Sequence, residues 1–363
     1  MSHRPAIGVS VQELDTPALL LDLEACRGNL QKMASYFADR PAKLRPHFKN
    51  HKCTRLARLQ LDAGSAVGMT CAQIDEAEAL SRAGFDDLLI ANQVVGAGKV
   101  RRVARIAEKS NLAVAVDDAS QARTIANAAQ EMGVTIGLLL EVDIGMGRCG
   151  VPSGQPALDL ARQLVELPNV EFRGLQAYEG HLVGVSDRPE RQTKVRDSMG
   201  RALETRALLE QHGIPVPTVS GCSTATYQYS GTLEGVTEVQ TGSYATMDWH
   251  YHQLAPEFEI ALSVLATVVS HHDDRSVLNV GVKCLGNEFG FPRIKDMPDL
   301  EIPFFGAEEH CVVRNASHWK VGDTTEVHSS HGCTTCNLHP RMYVHQNGTV
   351  VDVWPIDGRT GAM

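Results

Sequence analysis

The feature that most constrains this chain is an alternation of short apolar runs with amphipathic helical patterns between about residues 40 and 245. Strands joined by helices pair in parallel as βαβ units. Eight such strands over roughly 200 residues predict a closed (β/α)8 barrel, with an open doubly wound sheet as the alternative. The predicted strands are Leu44–Phe48, Ala66–Thr70, Asp87–Ala91, Leu112–Val116, Ile136–Val142, Phe172–Tyr178, Thr218–Ser220 and Glu238–Gln240.

Polar residues and glycines follow these strands at the end where a barrel carries its chemistry. Catalytic side chains of such barrels come from the carboxyl ends of the strands and the loops after them. The residues found there are Lys49, Thr70, Asn92, Asp117, Asp143, Tyr178, Gly221 and Thr241. Between the strands we predict helices over Thr54–Ala63, Ala72–Ala83, Lys99–Glu108, Ala119–Met132, Ala157–Glu166 and Glu190–His212.

The pattern changes after residue 250, where strand-like runs are separated by turns and periodic helix is absent. Asn347 and Gly348 stand between two of these runs, which is typical of a two-residue hairpin turn. The stretch Val11–Leu23 reads as extended and is expected to join the same sheet. We therefore predict an N-terminal segment over residues 1–24, a barrel domain over residues 25–250 and a mostly β domain over residues 251–363.

Composition limits the classes of partner. The chain has a formal net charge of -9, whereas binding to nucleic acid or to an anionic membrane surface needs a basic face. No apolar run approaches the ~18 residues of a membrane span, and the first residues lack the apolar core of a signal peptide. Nine scattered cysteines fit reduced thiols better than a disulfide framework. We expect a cytoplasmic enzyme that binds neither nucleic acid nor membrane.

The run LRPHFKNHK at residues 44–52 surrounds the end of the first predicted strand with basic side chains. Alternation along an extended chain would put His47, Lys49 and His51 on one face. A lysine that faces the barrel interior loses hydration, which favours the neutral amine that acts as nucleophile or base. An imine-forming lysine and an ordinary basic surface loop both fit this run.

Two glycine-containing loops follow the seventh and eighth strands, where barrels often bind phosphate. They are SGCST at residues 220–224 and GSY at residues 242–244. Glycine lets the backbone approach a ligand closely, and N–H groups with hydroxyls can cradle a phosphate. Two ordinary turns are the alternative. The residues that we predict to bind the phosphate end of a cofactor are Gly221, Cys222, Ser223, Thr224, Gly242, Ser243 and Tyr244.

A third glycine loop, GMGRCG at residues 145–150, has the spacing of a dinucleotide-binding loop. Pro152 follows almost at once, so no helix can begin inside the loop as that fingerprint requires. We therefore reject a dinucleotide site.

The run HSSHGCTTCNLH at residues 328–339 concentrates histidines and cysteines. We expect His331 and Cys333 to alternate on an extended chain, so that both point at one ion. Imidazole with thiolate suits zinc. The spacing of Cys333 and Cys336 also suggests a redox pair or a zinc ribbon, but a ribbon needs a second such pair and the sequence has none. A cysteine-containing loop without metal is the remaining alternative.

Together these motifs resemble the D-threonine aldolase and D-serine dehydratase family, whose members are pyridoxal-phosphate enzymes of fold type III, the alanine-racemase-like barrel. RPHFKNHK at residues 45–52 resembles the family's cofactor-lysine motif. LDTPAL at residues 14–19, EVDIGMGRCG at 141–150, LQAY at 175–178 and GSY at 242–244 match the family in order. The resemblance runs from about residue 14 to 357 and implies a pyridoxal 5'-phosphate cofactor.

The resemblance also implies roles for individual residues. It implies that Lys49 carries the cofactor with His47 beside it, and that Lys52 is structural or electrostatic. Arg148 is implied to lie near the cofactor's phenolic oxygen, where a permanent positive charge favours the phenolate. Tyr178 is implied to lie close to the cofactor ring; a core aromatic with a satisfied hydroxyl is the alternative.

Two departures from the aldolase pattern concern the metal and the catalytic base. The family's His-x-Asp or His-x-Cys metal pair falls on His331 and Cys333. The aspartate form is typical of D-threonine aldolases and favours harder ions such as manganese or magnesium, whereas the cysteine form resembles the zinc site of D-serine dehydratases. Aldolases also have a histidine, thought to act on the substrate hydroxyl, where Gly184 stands here. His181 is the nearby candidate to replace it.

The resemblance implies a lyase that acts on D-3-hydroxy amino acids with a divalent metal. We expect retro-aldol cleavage to glycine and an aldehyde, because the barrel motifs resemble aldolases along most of their length. Dehydration of D-serine or 3-hydroxy-D-aspartate to a keto acid and ammonia is the alternative. Readings from other classes are a non-catalytic pyridoxal-phosphate carrier, which usually lacks a β domain, and a metal-dependent barrel hydrolase. The resemblance further implies a homodimer.

Overall fold

The computed structural model describes residues 7–359. The strands in it are β1 (Ala18–Asp22), β2 (Lys43–Leu44), β3 (Met69–Cys71), β4 (Asp87–Gln93), β5 (Asn111–Val116), β6 (Ile136–Asp143), β7 (Val151–Pro152), β8 (Val170–Ala177), β9 (Thr218–Gly221), β10 (Glu238–Val239), β11 (Leu262–His272), β12 (Arg275–Leu278), β13 (Arg293–Ile294), β14 (Cys311–Val313), β15 (Thr324–His328), β16 (Arg341–Gln346) and β17 (Thr349–Pro355).

Helices connect most of these strands. They are α1 (Leu23–Phe37), α2 (Thr54–Asp62), α3 (Ile74–Arg82), α4 (Ala97–Ala107), α5 (Ala119–Met132), α6 (Gln155–Leu164), α7 (Arg188–Gln211), α8 (Tyr227–Ser230), α9 (Trp249–Leu254) and α10 (Gly332–Leu338). Short 3-10 helices cover Val11–Glu13, Phe48–Asn50, Gly180–Leu182 and Ser243–Ala245. Among the described residues, no helix combines the length and the apolar character that crossing a bilayer requires.

The first of two compact units contains residues 34–49 and 57–242. Its parallel strands follow the order β2-β10-β9-β8-β6-β5-β4-β3. Parallel bridges from Leu44 to Ala66 and from His47 to Thr70 join the chain around β2 to the chain around β3, so the sheet closes on itself. The (β/α)8 barrel predicted from the sequence is confirmed, and the open sheet is wrong.

Helix α5 begins and ends at residues that satisfy its free backbone groups. At the start of α5, the Asp118 carboxylate accepts hydrogen bonds from the backbone N–H groups of Ser120 and Gln121. The helix ends at Gly133, whose φ of 65° is the left-handed conformation that glycine adopts freely. Ile125 on its inner face is fully buried in the main apolar core. Both ends of α5 are therefore defined by local contacts, and the short turn after Gly133 leads directly into β6.

The second compact unit contains the described residues up to 33, residues 50–56 and the described residues from 243 onward. Its main sheet has the order β13-β15-β11-β1-β16-β17, and β12 pairs with β11 and β14. We call it the β unit. β1 pairs antiparallel with β11 and parallel with β16, so the strand that precedes the barrel belongs to this sheet. The functional division at residues 24 and 250 stays a prediction.

Two local predictions for the β unit are wrong and one is confirmed. Val11–Glu13 is a 3-10 helix rather than extended chain, because the Ser10 hydroxyl and the Glu13 carboxylate form a capping box. Helix is also present after residue 250, since α9 and α10 are too short to leave a periodic pattern. The hairpin between β16 and β17 is confirmed, with φ of 48° at Asn347 and 76° at Gly348.

Candidate active site

Lys49 lies in the barrel unit, on the turn that follows β2. Residues Phe48–Asn50 form a 3-10 helix, so the predicted alternation of His47, Lys49 and His51 on one face is wrong. The backbone N–H of His47 donates to the Thr241 carbonyl at 2.9 Å. The ring Nδ1 of His47 accepts a long hydrogen bond, 3.5 Å, from the Lys49 backbone. The turn leaves the Lys49 side chain half-buried at the end of its strand.

Tyr178 brings two of the predicted cations together. It follows β8 directly, and its side chain is half-buried. The Nζ of Lys49 lies 5.9 Å from the centroid of the Tyr178 ring, and the Cζ of Arg148 lies 5.6 Å from it. Cations at such distances are attracted to an aromatic face. Three residues predicted from separate motifs therefore meet around one ring.

A buried carboxylate lies next to Arg148. Glu141, on β6, is only 4% exposed, and its Oε1 is 4.0 Å from an Arg148 guanidinium nitrogen. Its Oε2 accepts hydrogen bonds from the side-chain amides of Gln93 at 2.6 Å and Gln176 at 3.2 Å. Burial raises the pKa of Glu141, while the Gln93 amide and Arg148 oppose that shift. Glu141 is thus held by neutral donors on one oxygen and faces a cation with the other.

Further amides extend this network inside the barrel. Gln240 donates to the Ser220 hydroxyl at 2.9 Å and to the Gln176 side-chain oxygen at 3.4 Å. Gln93 also reaches an Asp117 carboxylate oxygen at 3.3 Å. Sequence reasoning gave these residues no role. The signal that would have found them is a polar residue within an apolar strand, as where Glu141 follows three leucines.

The first predicted phosphate loop follows β9. A Cβ on Gly221 would lie 1.8 Å from the carbonyl oxygen of Ala177, so β8 and β9 approach closely only because this residue is glycine. Cys222 has a φ of 81°, in the left-handed region. Burial, and after it the negative charge of Glu179, raises the pKa of Cys222 well above the usual range, so its thiol stays neutral. Ser223 and Thr224 of the loop are also buried.

The second predicted phosphate loop begins with Gly242, the last residue of the barrel unit, and Ser243 opens a segment of the β unit. Ser243 and Tyr244 are buried within a 3-10 helix, and the Tyr244 ring packs 5.9 Å from the ring of Phe258. Just before this loop, the Thr241 hydroxyl is buried and has no hydrogen-bond partner among the described residues.

His331 and Cys333 lie at the start of α10 in the β unit. His331 precedes the helix and Cys333 is in its first turn, so the prediction that they alternate on an extended chain is wrong. The helix forms here because the Asp248 carboxylate accepts a 2.8 Å hydrogen bond from the Gly332 backbone N–H. The two side chains remain hydrogen-bonded to each other.

Anionic groups surround this pair. The Glu288 carboxylate lies 3.2 Å from Nδ1 of His331, and the Asn50 amide nitrogen lies 3.7 Å from the Cys333 sulfur. Burial alone would lower the pKa of His331, but Cys333, Glu288 and Asp248 raise it to about 10. Burial raises the pKa of Asp248 to about 6. Within residues 7–359, no group of three or more His, Cys, Asp or Glu side chains forms a metal-ligating cluster.

The chain is similar to known proteins along nearly its whole length. The family model for the N-terminal domain of alanine racemase matches residues 21–248, and that for a putative serine dehydratase domain matches residues 261–345. The D-threonine aldolase of Arthrobacter sp. is 36% identical over 97% of this chain and 94% of its own. The 3-hydroxy-D-aspartate aldolase of Paracoccus denitrificans (strain Pd 1222) is 32% identical over 98% and 95%. The chain belongs to the D-threonine aldolase and D-serine dehydratase family.

A solved structure agrees with this assignment. The crystal structure of the D-threonine aldolase from Filomicrobium marinum has a TM-score of 0.94 at 34% identity, covering 97% of this chain and 98% of that chain. Membership in the D-threonine aldolase and D-serine dehydratase family makes the chain a pyridoxal-phosphate-dependent lyase of fold type III, as the sequence predicts. The carrier and hydrolase alternatives are therefore wrong.

The barrel unit suits the family's cofactor. It offers an amine at Lys49, a permanent cation at Arg148 and, after β9, a close-approach glycine at Gly221. The buried Thr241 hydroxyl without a partner among the described residues is the kind of group that a bound anion satisfies. In the β unit, an imidazole and a thiol amid carboxylates form a donor set that suits a divalent cation.

The family's catalytic histidine position is open. Gly184 is exposed, and a Cβ added there would meet nothing within 4 Å. His181 lies on the 3-10 helix after Tyr178 and is exposed. Its ring neighbours the loop after β6, because a Cβ on Gly145 would be 3.2 Å from His181 Nε2. The structure has room for the family's histidine at residue 184, and His181 is next to a different strand end.

Proposed function

We propose that this chain is a pyridoxal-phosphate- and divalent-metal-dependent lyase that splits D-3-hydroxy amino acids into glycine and an aldehyde. The observation that carries the proposal is the meeting of Lys49, Arg148 and Tyr178, with the amine 5.9 Å and the guanidinium 5.6 Å from the ring centroid. Similarity to a D-threonine aldolase and a 3-hydroxy-D-aspartate aldolase supports this reaction class.

Pyridoxal 5'-phosphate, when bound, withdraws electrons from the substrate's Cα and so weakens the bonds at that carbon. Lys49 holds the cofactor through its amine and, once released, is a base close to Cα. Arg148 would lie near the phenolic oxygen, and the Glu141 carboxylate is 4.0 Å from its guanidinium. His47 and Tyr178 contact the cofactor. The residues that hold its phosphate are Gly221, Cys222, Ser223, Thr224, Gly242, Ser243 and Tyr244.

A zinc, manganese or magnesium ion, when bound, polarises the substrate's β-hydroxyl as a Lewis acid. His331 and Cys333 are the ligands that this chain supplies. Glu288 engages Nδ1 of His331 at 3.2 Å, which leaves Nε2 for the ion and fixes the ring. His181 takes the hydroxyl proton in the retro-aldol reaction.

Dehydration to a keto acid and ammonia is the second candidate, and two observations favour it. The metal pair carries Cys333 where aldolases carry aspartate, and Gly184 stands where they carry histidine. In this reaction Lys49 removes the Cα proton and the β-hydroxyl leaves. The two outcomes use the same residues and differ in whether a base acts on the hydroxyl or on Cα.

The deciding experiment incubates the protein with D-threonine, D-serine and D-3-hydroxyaspartate and measures glycine and ammonia. We expect glycine and the matching aldehyde, and we expect neither from Lys49→Ala. Ammonia and keto acid without glycine would overturn the aldolase assignment in favour of dehydration. The homodimer and the cytoplasmic location stay predictions.

A further inference from the structure

Glu179 is a buried carboxylate that the proposed reaction does not use. It follows Tyr178 and has no exposed surface. Its Oε1 accepts hydrogen bonds from the hydroxyls of Thr226 at 2.7 Å and Ser230 at 2.5 Å. Its Oε2 is buried without a hydrogen-bond partner among the described residues. Burying an unpaired carboxylate oxygen costs free energy, so stability alone does not explain an acid at this position.

Glu179 controls the direction of one hydroxyl. The Thr226 hydroxyl donates its hydrogen to Oε1 of Glu179, which fixes the direction in which that hydroxyl points. The lone pairs of that oxygen are then free to accept the 3.0 Å hydrogen bond from the Ser223 backbone N–H. Without Glu179, the Thr226 hydroxyl could turn to the Ser223 carbonyl, which lies 3.4 Å away. The carboxylate thus acts on the backbone of the loop through Thr226.

The loop that receives this hydrogen bond has an unusual backbone. Cys222 adopts a φ of 81°, a conformation that non-glycine residues keep only when the surroundings impose it. The next residue, Ser223, is the one bound to Thr226, and its hydroxyl accepts from the Ala225 backbone N–H at 3.2 Å. Glu179 and Thr226 therefore hold the backbone of the loop at Ser223, the residue that follows the unfavourable φ of Cys222.

We propose that Glu179 is a positioning residue for the phosphate group of the cofactor. Through Thr226 it sets the conformation of the loop that contains Cys222, Ser223 and Thr224, to which the proposed function assigns the phosphate, and the inference rests on that assignment. Glu179 does not touch the phosphate, because two anions in contact would repel each other. It determines where the loop directs its backbone N–H groups.

The test compares the affinities of the cofactor-free, full-length protein for pyridoxal 5'-phosphate and for pyridoxal, which lacks the phosphate. Absorbance titration measures both, and their ratio reports the phosphate interaction. We expect Glu179→Ala to lower this ratio about tenfold, the loss expected from one hydrogen bond. Glu179→Gln keeps an acceptor oxygen toward Thr226 and should restore most of the ratio.

Two further variants separate the loop effect from a general loss of packing. Thr226→Val removes the hydroxyl that joins Glu179 to the loop, and it should lower the ratio as Glu179→Ala does. The double variant should lose no more than either single variant. Ser230→Ala removes the other hydrogen bond to the same oxygen of Glu179 and a hydrogen bond to the Cys222 thiol, but it leaves the hydrogen bond between Thr226 and the Ser223 backbone in place. Its ratio should equal that of the wild type.

The outcomes distinguish this inference from the proposed function. A wild-type protein that binds both compounds equally would overturn the assignment of the loop to phosphate. A wild type that prefers pyridoxal 5'-phosphate, with an unchanged ratio in Thr226→Val, would overturn the role of Glu179 and leave the lyase assignment standing. An equal loss of both affinities, or a loss in Ser230→Ala as large as in Thr226→Val, would also overturn it. Thr226→Val carries the test if Glu179→Ala does not fold.

Discussion

The barrel unit and the β unit stabilise their candidate site residues in opposite ways. In the barrel, Glu141 is buried among neutral donors, with the amides of Gln93 and Gln176 on one oxygen. In the β unit, His331 and Cys333 lie beside the carboxylates of Asp248 and Glu288. One arrangement satisfies a charge with fixed dipoles, and the other concentrates negative charge around the two side chains that we propose as metal ligands.

The two arrangements differ in how far each depends on a bound ligand. Dipoles held by a rigid scaffold stay oriented whether or not a ligand is bound, so the barrel residues are preorganised. Negatively charged groups packed around an imidazole and a thiol repel one another until a cation neutralises them. The same negative charges favour the protonated imidazole, and they raise the pKa of His331 to about 10. We expect the barrel site to survive removal of the cofactor and the start of α10 to depend on its metal.

The largest effect should come from Lys49→Ala, which tests the barrel half of the comparison. Loss of both the cofactor-holding amine and a base should lower the turnover of D-threonine by at least about 10³-fold. The visible absorbance band that borohydride removes should disappear as well. Lys52→Ala, three residues on, is the matched control and should keep the band. A retained band in Lys49→Ala would contradict the assignment of the amine.

Metal removal should have the next largest effect and tests the β unit. Treatment with EDTA should lower activity by at least about 10²-fold, since ligand and neighbour losses at metal sites already cost 10–100-fold. Added zinc or manganese should restore it. Added metal should not restore the activity of Cys333→Ala. It should restore that of Cys336→Ala, which removes a buried thiol on the same helix and serves as the control. Full activity in a metal-free preparation would refute the role given to His331 and Cys333.

The sequence predicted the barrel well because its signal is local and periodic. A strand lies at each of the eight predicted places, but Leu44–Phe48 is shortened to β2 (Lys43–Leu44) and Phe48 begins a 3-10 helix; α5 matches its predicted bounds, Ala119–Met132. Burial on both faces makes each parallel strand a short apolar run, which is readable from one sequence. The β unit was harder, since α10 occupies only seven residues and its start depends on a hydrogen bond from Gly332 to Asp248, which is distant in sequence.

The candidate site could be predicted in part. Lys49, Arg148 and Tyr178 were found because their motifs resemble a known family, and the structure brings them together. Glu141 and Glu179 were missed because their roles depend on which side chains face them across the barrel. A carboxylate in an apolar strand signals a buried polar network, but spacing along the chain does not identify its partners.

A moderate gain should follow from Gly184→His, which tests whether a base at the family's histidine position adds to the one proposed at His181. Residue 184 has open space for a side chain, and a positioned base contributes about 10²–10⁴-fold in favourable geometry. The loop backbone is not shaped to orient a histidine at this position, so we expect less than that full gain. The rate of glycine formation from D-threonine should rise about tenfold. Gly184→Gln is similar in size but has no base, and it should show no rise. Equal rates for the two variants would show that a base at residue 184 adds nothing to the one proposed at His181.

The smallest effects should come from removing one carboxylate in each unit, the buried Glu141 of the barrel and the half-buried Glu326 of the β unit. Burial raises the pKa of Glu141, so its folded pKa lies above the unfolded value of about 4.3. Between these two pKa values the folded state binds more protons than the unfolded state, so the free energy of unfolding falls as pH rises from the unfolded pKa through the folded pKa. Glu141→Gln removes this cost. Its free energy of unfolding should exceed that of the wild type at pH 7 by on the order of 1 kcal/mol, and the difference should vanish near pH 4.

Glu326 in the β unit provides the opposite case. Burial opposes its ionisation, but the Ser263 hydroxyl at 2.6 Å and Lys295 at 2.9 Å outweigh burial and lower its pKa. Its contribution to stability is present above the unfolded pKa and is lost as pH falls through the folded one. Glu326→Gln should therefore be less stable than the wild type at pH 7 and approach it in acid. Urea unfolding of both cofactor-free variants from pH 4 to 8 measures the two slopes. Each slope is the change with pH of the difference in unfolding free energy between the variant and the wild type. Slopes of the same sign for Glu141→Gln and Glu326→Gln would show that the ion pair with Lys295 does not outweigh the burial of Glu326.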